Sequence, residues 1–212
     1  MENEKFLAEQ LTPDNAALLL IDHQVGTMTF GIVDLDPVTL KNNTLWLAEA
    51  ANIFNLPTLL TTSNPDGANG PLFTELVNTL PNAPVIDRLH INAWNDPVFV
   101  KAVEATGRKK LIMAGVTADV CLTFPAVSAA QAGYDVYAVM DASGTVTMQA
   151  MYAAMFRMSQ AGVKIANTNM VVAELESYWG NETAAQVGAL YAKRLPHFGY
   201  IYSHLQYILN KK

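Results

Sequence analysis

The 212-residue sequence has very little cysteine, since Cys121 is its only one. One cysteine cannot form an intramolecular disulfide or supply a thiolate-rich zinc site. Charged residues are also scarce, at 15% of the chain, and the formal net charge is -6. The only run of three consecutive basic residues is Arg108-Lys109-Lys110, which a solvated strand entrance explains. The composition therefore argues against a nucleic-acid partner.

Three further absences narrow the class of protein. No apolar run is long enough to span a bilayer, and the N-terminal stretch MENEKFLAEQLTPDN lacks the apolar core of a signal peptide. We therefore expect a soluble cytoplasmic protein with no membrane partner. The loop DGANG lacks the GxGxxG order of a nucleotide site, and no His-x-His, Asp-x-His or His-Glu-x-x-His spacing occurs. We expect no metal and no cofactor.

Short apolar runs alternating with helical patterns are what the sequence does contain, and 51% of the residues are hydrophobic. This alternation predicts a three-layer α/β/α sandwich around a roughly six-stranded parallel sheet, in a single domain over residues 1–212. The predicted strands lie near 17–21, 58–62, 84–87, 111–114, 134–140 and 163–166. The predicted helices lie near 37–54, 72–80, 96–106, 122–132 and 147–161. From about residue 174 we expect a helical tail, with helices near 171–179 and 183–195.

Reactive side chains follow three of these strands. Asp22 follows the first strand, Arg88 the third, and Cys121 lies in the turn after the fourth. The carboxyl ends of parallel strands meet at one edge of the sheet, where sites of open α/β folds form. We expect a helix N-terminus and Arg88 to lower the pKa of the thiol, and Asp22 to take its proton.

Each of these residues also has a structural interpretation. Cys121 alone is more simply a small buried residue. Asp22 is suited to capping a loop or helix, and Arg88 has Asp87 and Asp66 as further acidic partners. The histidines receive no catalytic role: His23 faces away from Asp22, His90 lies beside Arg88, and His197 and His204 lie in the tail.

Five motifs in order resemble the isochorismatase-like cysteine hydrolase superfamily, with the greatest similarity to its YcaC-type hydrolases: LLLIDHQ, LPTLLTTS with PDGANGPL, VIDRLHINAW, AGVTADVCLTFPAVSA and DVYAVMDASGT. The resemblance implies a catalytic triad of Asp22, Arg88 and Cys121. It also implies a cis peptide between Val116 and Thr117, which would aim the N–H groups of Thr117 and Cys121 at an oxyanion.

The implied activity is cofactor-free hydrolysis of a C–N bond, other than a peptide bond, in a small amide through a thioester on Cys121. Two alternatives on the same fold stay open: a catalytically silent oligomeric binding or scaffold protein, and a redox-responsive thiol protein. The resemblance also implies a homo-oligomer, for which the tail HFGYIYSHLQYI suits either a subunit contact or packing on its own core.

The sequence departs from the family pattern at three places. TTSNPDGANG lacks the metal-binding Asp-x-His, Ala118 stands where threonine is usual, and the loop after Arg88 is one residue short. Both latter changes reshape the predicted pocket. The residues we expect to line it, besides Val116 and Thr117, are Phe30, His90 and Trp94, although Phe30 and Trp94 are equally suited to a core or an interface.

Overall fold

Six parallel strands form one sheet in a computed structural model of the chain, which describes residues 10–29, 32 and 34–211. The strands are β1 (Ala16–Ile21), β2 (Thr58–Ser63), β3 (Val85–Arg88), β4 (Lys110–Gly115), β5 (Asp135–Val139) and β6 (Lys164–Ala166). Their order is β3-β2-β1-β4-β5-β6. The two central strands, β1 and β4, pair from Ala16 with Lys110 to Ile21 with Gly115 and are buried along their whole length.

The helices begin where the sequence supplies capping groups. Asp96 accepts hydrogen bonds from the N–H groups of Val98 and Phe99, and Pro97 follows as the first helical residue. Asp36 and Thr147 cap two further helices in the same way. The helices are α1 (Val25–Thr29), α2 (Pro37–Ile53), α3 (Thr74–Thr79), α4 (Pro97–Ala105), α5 (Thr123–Gln131), α6 (Met148–Gln160), α7 (Thr168–Glu176), α8 (Ala184–Arg194) and α9 (Pro196–Leu209).

Apolar side chains leave the sheet on both faces and form two cores. Because successive strand residues point to opposite faces, Leu18 and Leu20 of β1 pack with Trp46 of α2, while Leu19 packs with Phe99 of α4 on the other face. Helices therefore cover both faces of the sheet. This confirms the predicted three-layer α/β class and the six-stranded parallel sheet.

The structure differs from the prediction mainly near the site and at the tail. The short helix α1 was not predicted, and the predicted helix at 122–132 is a π-helical turn, Ala118–Leu122, followed by α5. The tail contains α9 in addition to the two predicted helices. Within the described ranges, no helix combines the length and apolar character needed to cross a membrane.

Candidate active site

Asp22 and Arg88 form a closed ion pair at the carboxyl edge of the sheet. Asp22 directly follows β1, and Arg88 is the last residue of β3. The guanidinium Nη2 donates to both carboxylate oxygens of Asp22, at 2.7 and 2.6 Å, and both side chains are fully buried. Charge-assisted contacts of this kind are short and directional. The partner of Arg88 is therefore Asp22 and not Asp87, which accepts from the Thr62 hydroxyl.

The loop after β3 holds the other end of the guanidinium. Arg88 Nη1 donates to the backbone carbonyl oxygens of His90 and Ile91, the second at 3.1 Å. Asp66, the other sequence candidate, lines an open cleft beside Arg88 together with Asp87 and His90. With carbonyl oxygens on one nitrogen and a carboxylate on the other, the always-protonated guanidinium is fixed in place.

The backbone of Asp22 adopts a left-handed conformation, with φ of 58°. Its N–H donates to Thr61 O at 2.9 Å, and its carbonyl accepts from the Thr27 hydroxyl at 2.5 Å. A positive φ is uncommon outside glycine and depends on such local support. Thr27, in the unpredicted helix α1, is thus a residue that sequence reasoning missed.

Gln24 is a second residue that sequence reasoning missed. Its buried side-chain amide accepts from Ser63 N–H at 2.9 Å and donates to the carbonyl oxygens of Ser63 and Gly70. It therefore ties the loop after β2 to the segment carrying Asp22. The sequence signal for Gln24 is its position at the end of LLLIDHQ: a glutamine directly after a buried apolar strand is expected to be buried and hydrogen-bonded.

Cys121 lies in the π-helical turn that follows β4, and Gly115 allows this turn to approach the strand. A Cβ on Gly115 would lie 3.1 Å from Leu122 N and 3.2 Å from the carbonyl carbon of Cys121. The Val116–Thr117 peptide between them is cis. The turn thus places Cys121 beside Asp22, within hydrogen-bonding reach of its carboxylate.

The two backbone N–H groups expected to form an oxyanion hole differ in their surroundings. The Cys121 N–H donates to Thr117 O at 2.8 Å, inside the turn, so it already has an acceptor. The Thr117 backbone instead lies close enough to the Cys121 thiol to lower its pKa. Of the two expected donors, Thr117 is therefore the better candidate for the oxyanion hole.

Burial raises the pKa of the Cys121 thiol, and the charge and hydrogen bond of Asp22 raise it further. The Thr117 N–H and Arg88 lower it, but by less. The expectation of a lowered thiol pKa was therefore wrong, because desolvation and the adjacent carboxylate outweigh the guanidinium. The resting form is a neutral thiol.

Burial also raises the pKa of Asp22, with the charge of Arg88 and the Cys121 hydrogen bond opposing this rise. A carboxylate with a raised pKa is a stronger base than an exposed aspartate. The pair consequently places a proton donor, the thiol, directly against a carboxylate suited to accept its proton.

The histidines lie outside this cluster. His23 is fully buried and its Nε2–H donates to Ala142 O at 2.9 Å, while burial lowers its pKa to about 4. His90 is exposed, with its ring 3.4 Å from Asp96, so it serves the site through its carbonyl and not through its imidazole. His197 and His204 lie on α9.

The expected pocket residues have mixed outcomes. Trp94 packs edge-on against Tyr134 and Phe99 and lines a cavity beside Arg108 and Lys109, just before β4, which is the opposite edge of the sheet. Of the interpretations left open for Trp94, the structure favours the core one, because the half-buried indole packs against the core that contains Phe99. Phe30 lies outside the described residues. Val116 is fully buried and Thr117 is half-buried.

No group of three or more His, Cys, Asp or Glu side chains that could hold a metal ion occurs in the described part of the chain. The functional groups that meet at the site are one thiol, one carboxylate and one guanidinium.

The chain is thus a three-layer α/β protein with a doubly wound parallel sheet, and a thiol, a carboxylate and a guanidinium meet at the carboxyl edge of that sheet. The chain belongs to the isochorismatase family: the Isochorismatase domain model matches residues 16–170. This finding confirms the resemblance seen in the sequence motifs.

The relatives place the chain beside YcaC proteins. It is 44% identical over 190 residues to the probable hydrolase YcaC of Escherichia coli K12, covering 89% of this chain and 90% of that protein. The crystal structure of Escherichia coli YcaC, an octameric hydrolase of unknown specificity, matches with a TM-score of 0.91 over 94% of this chain and 97% of that one. Pseudomonas aeruginosa YcaC, with hexane-2,5-diol and covalent acrylamide, matches with a TM-score of 0.91 at 44% identity over 94% and 98% of the two chains.

Proposed function

We propose that the protein is a cysteine hydrolase that cleaves the C–N bond of a small amide through a thioester on Cys121, without a cofactor. The observation that carries this proposal is the position of the Asp22 carboxylate. It contacts the Arg88 guanidinium through both oxygens and lies within hydrogen-bonding reach of the Cys121 thiol; the Asp22 and Arg88 side chains are fully buried, and Cys121 is partly exposed.

In the first step Asp22 accepts the thiol proton as the sulfur attacks the amide carbon. The new S–C bond forms, and the carbonyl π electrons move to oxygen, where the Thr117 N–H stabilises the negative charge. Collapse of this intermediate breaks the C–N bond, and the protonated Asp22 delivers its proton to the departing amine. Because the resting thiol is neutral, proton transfer and attack are coupled.

In the second step Asp22 accepts a proton from a water molecule while the water oxygen attacks the thioester carbon. The C–S bond breaks, and the proton returns to sulfur, which leaves a carboxylic acid and the neutral thiol. Arg88 stays protonated throughout, so its role is to hold Asp22 and balance its charge, not to transfer a proton.

The Pseudomonas aeruginosa relative supports a reactive nucleophile on this fold, because its structure contains covalent acrylamide. Acrylamide is an electrophile toward thiols, and it is also a small amide. We propose that Cys121 of this chain reacts as a nucleophile in the same way.

The test is a panel of small primary amides followed by intact-mass detection of an adduct. We expect Cys121→Ala to lower turnover by at least about a thousandfold and to abolish the acyl adduct. Asp22→Asn is expected to have a comparable effect. Asp87→Asn is the matched control, since it removes a neighbouring carboxylate that does not contact Arg88, and it should leave turnover within about twofold.

Three outcomes would contradict the proposal. Full turnover by Cys121→Ala would exclude the nucleophile. No turnover and no adduct across the panel would favour the scaffold alternative, and thiol oxidation at Cys121 without any hydrolysis would favour the redox alternative.

We also propose that the chain forms a homo-oligomer, because the Escherichia coli relative is octameric. We further propose that the substrate is a small molecule that enters the site from solvent. The single domain and the cytoplasmic location stay predictions.

A further inference from the structure

The helix α9 is joined to the rest of the molecule through its first turns only. Phe198 packs against Tyr191 of α8 with ring centroids 5.5 Å apart, and Tyr202 stacks on Phe198. Gly199 permits a close helix approach, since a Cβ there would lie 2.6 Å from Ala192 O. From residue 203 to residue 211 every residue is exposed.

The exposed part of α9 is strongly apolar. Its large apolar side chains are well exposed; the exposed fraction is 74% for Tyr200, 61% for Ile201 and 62% for Leu209. We call the complete set the α9 stripe: Tyr200, Ile201, Leu205, Tyr207, Ile208 and Leu209. At about 100° per residue these six positions cover roughly 200° of the helix circumference, so they form a broad apolar face and not a narrow seam. Ser203, Gln206 and Asn210 fall on the other side. A helix of this length is marginal in water without tertiary packing, so such a stripe indicates a missing partner surface.

The chemistry of the stripe selects its partner. Helix α9 contains no Asp, Glu, Lys or Arg. Helices that lie on membranes carry Lys and Arg on their polar face, and here that face is Ser, Gln and Asn. Interface cores between protein subunits are instead poor in charge and enriched in tyrosine. The stripe side chains are uncharged and two of them are tyrosines; Lys211, just after the helix, lies with its Nζ 4.4 Å from the centroid of the Tyr207 ring.

The size of the stripe also fits a protein interface. Its six side chains together expose roughly 700 Å², of the same order as the ~800 Å² that each side of a stable interface usually buries. An uncharged stripe is compatible with a copy of itself, as a two-fold interface requires.

We infer that the α9 stripe is an interface with a second copy of this chain, in which α9 packs against the partner's α9. The inference rests on the proposed homo-oligomer and assigns one of its contact surfaces. Helix α9 begins directly after α8, whose Lys193 and Arg194 contact Glu49 of α2, so the interface is anchored to the body of the molecule.

The test compares molar masses by light scattering after size-exclusion chromatography. The wild-type chain should show a multiple of its 23.1 kDa monomer mass. The double variant Ile201→Glu, Leu205→Glu should show a mass at least twofold lower. The matched control is Ser203→Glu, Gln206→Glu, which adds the same charges to the opposite side of the same helix and should retain the wild-type mass.

Circular dichroism establishes that each variant is folded. If the glutamate variant unfolds, Ile201→Ala, Leu205→Ala replaces it, and its assembly should dissociate at a protein concentration at least tenfold higher than that of the wild type.

Three results would overturn the inference: a monomeric wild type, an unchanged mass for the stripe variants, or equal loss of mass in the control. A wild type that is monomeric and sediments with vesicles of phosphatidylcholine and phosphatidylglycerol would assign the stripe to lipid. The masses are measured without substrate. A shift in mass with no amide hydrolysed by any variant would therefore refute the proposed catalysis and leave the interface standing.

Discussion

Thr27 shows how a single hydroxyl supports the candidate catalytic carboxylate. Its Oγ1 donates to the backbone carbonyl of Asp22, a residue that is fully buried and has a positive φ. Thr27→Val keeps the shape of the side chain and leaves this carbonyl without its donor. We expect a loss of about 1–3 kcal/mol in the free energy of unfolding, measured with urea, because a buried acceptor is left unsatisfied.

The same substitution should slow alkylation of Cys121 by acrylamide at least about tenfold, since Asp22 is no longer held against the thiol. Thr27→Ser retains the hydroxyl and should recover most of the alkylation rate. Equal rates for the valine and serine variants would show that the hydroxyl contributes to folding only.

At the scale of an element, the approach of the π-helical turn to β4 depends on Gly115. In Gly115→Ala the new Cβ would meet the backbone of Cys121 and Leu122 at 3.1–3.3 Å, and backbone cannot rotate away as a side chain can. We expect the turn to shift by a few tenths of an ångström and amide turnover to fall by about tenfold or more. Overpacking should also cost about 1–3 kcal/mol of stability.

Gly188→Ala is the matched control for this prediction. Gly188 lies inside α8, where the added methyl would meet only the Tyr202 ring at 4.0 Å. Alanine is the better helix former, so this variant should gain about 1 kcal/mol and keep its turnover. Full activity in Gly115→Ala would mean that the turn accommodates the methyl without moving Cys121.

The strands were predictable because buried parallel strands are short and apolar throughout, as LLLI in β1 and LIMA in β4 are. Their ends then located Asp22, Arg88 and Cys121 at one edge of the sheet. The five-residue α1 was not predictable, since it has no charged residue in its first or last turn and is too short to show a helical period.

The direction of the thiol pKa could not be predicted from the sequence either. It depends on the depth of burial and on the contact with Asp22, and neither is encoded in local sequence. The choice between pocket and core for Trp94 stayed open for a related reason: the position of a loop residue in sequence does not decide toward which edge of the sheet its indole packs.

At the scale of the whole molecule, His23 makes the stability of the fold sensitive to acid. Its Nε2–H joins the end of β1 to the turn after β5 through Ala142 O, and burial lowers its pKa from 6.5 to about 4. Below pH 6.5 the unfolded chain binds a proton at this residue that the folded chain does not, so stability is complete above that pH and is lost as the pH falls toward 4. Between pH 7 and pH 5 this linkage amounts to about 2 kcal/mol.

Urea unfolding at fixed protein concentration, at pH 7 and at pH 5, measures this loss against His23→Gln. Glutamine places an amide N–H near the position of Nε2 and does not titrate, so the variant should lose about 2 kcal/mol less than the wild type over the same interval. Carboxylates with lowered pKa, such as Glu49 and Asp135, lose their contribution mainly below their ordinary values of 4.5 and 3.8, outside most of this window. A wild type and a variant that weaken in parallel would therefore exclude His23 as the source of the acid sensitivity, because its titration is the one term that the substitution removes.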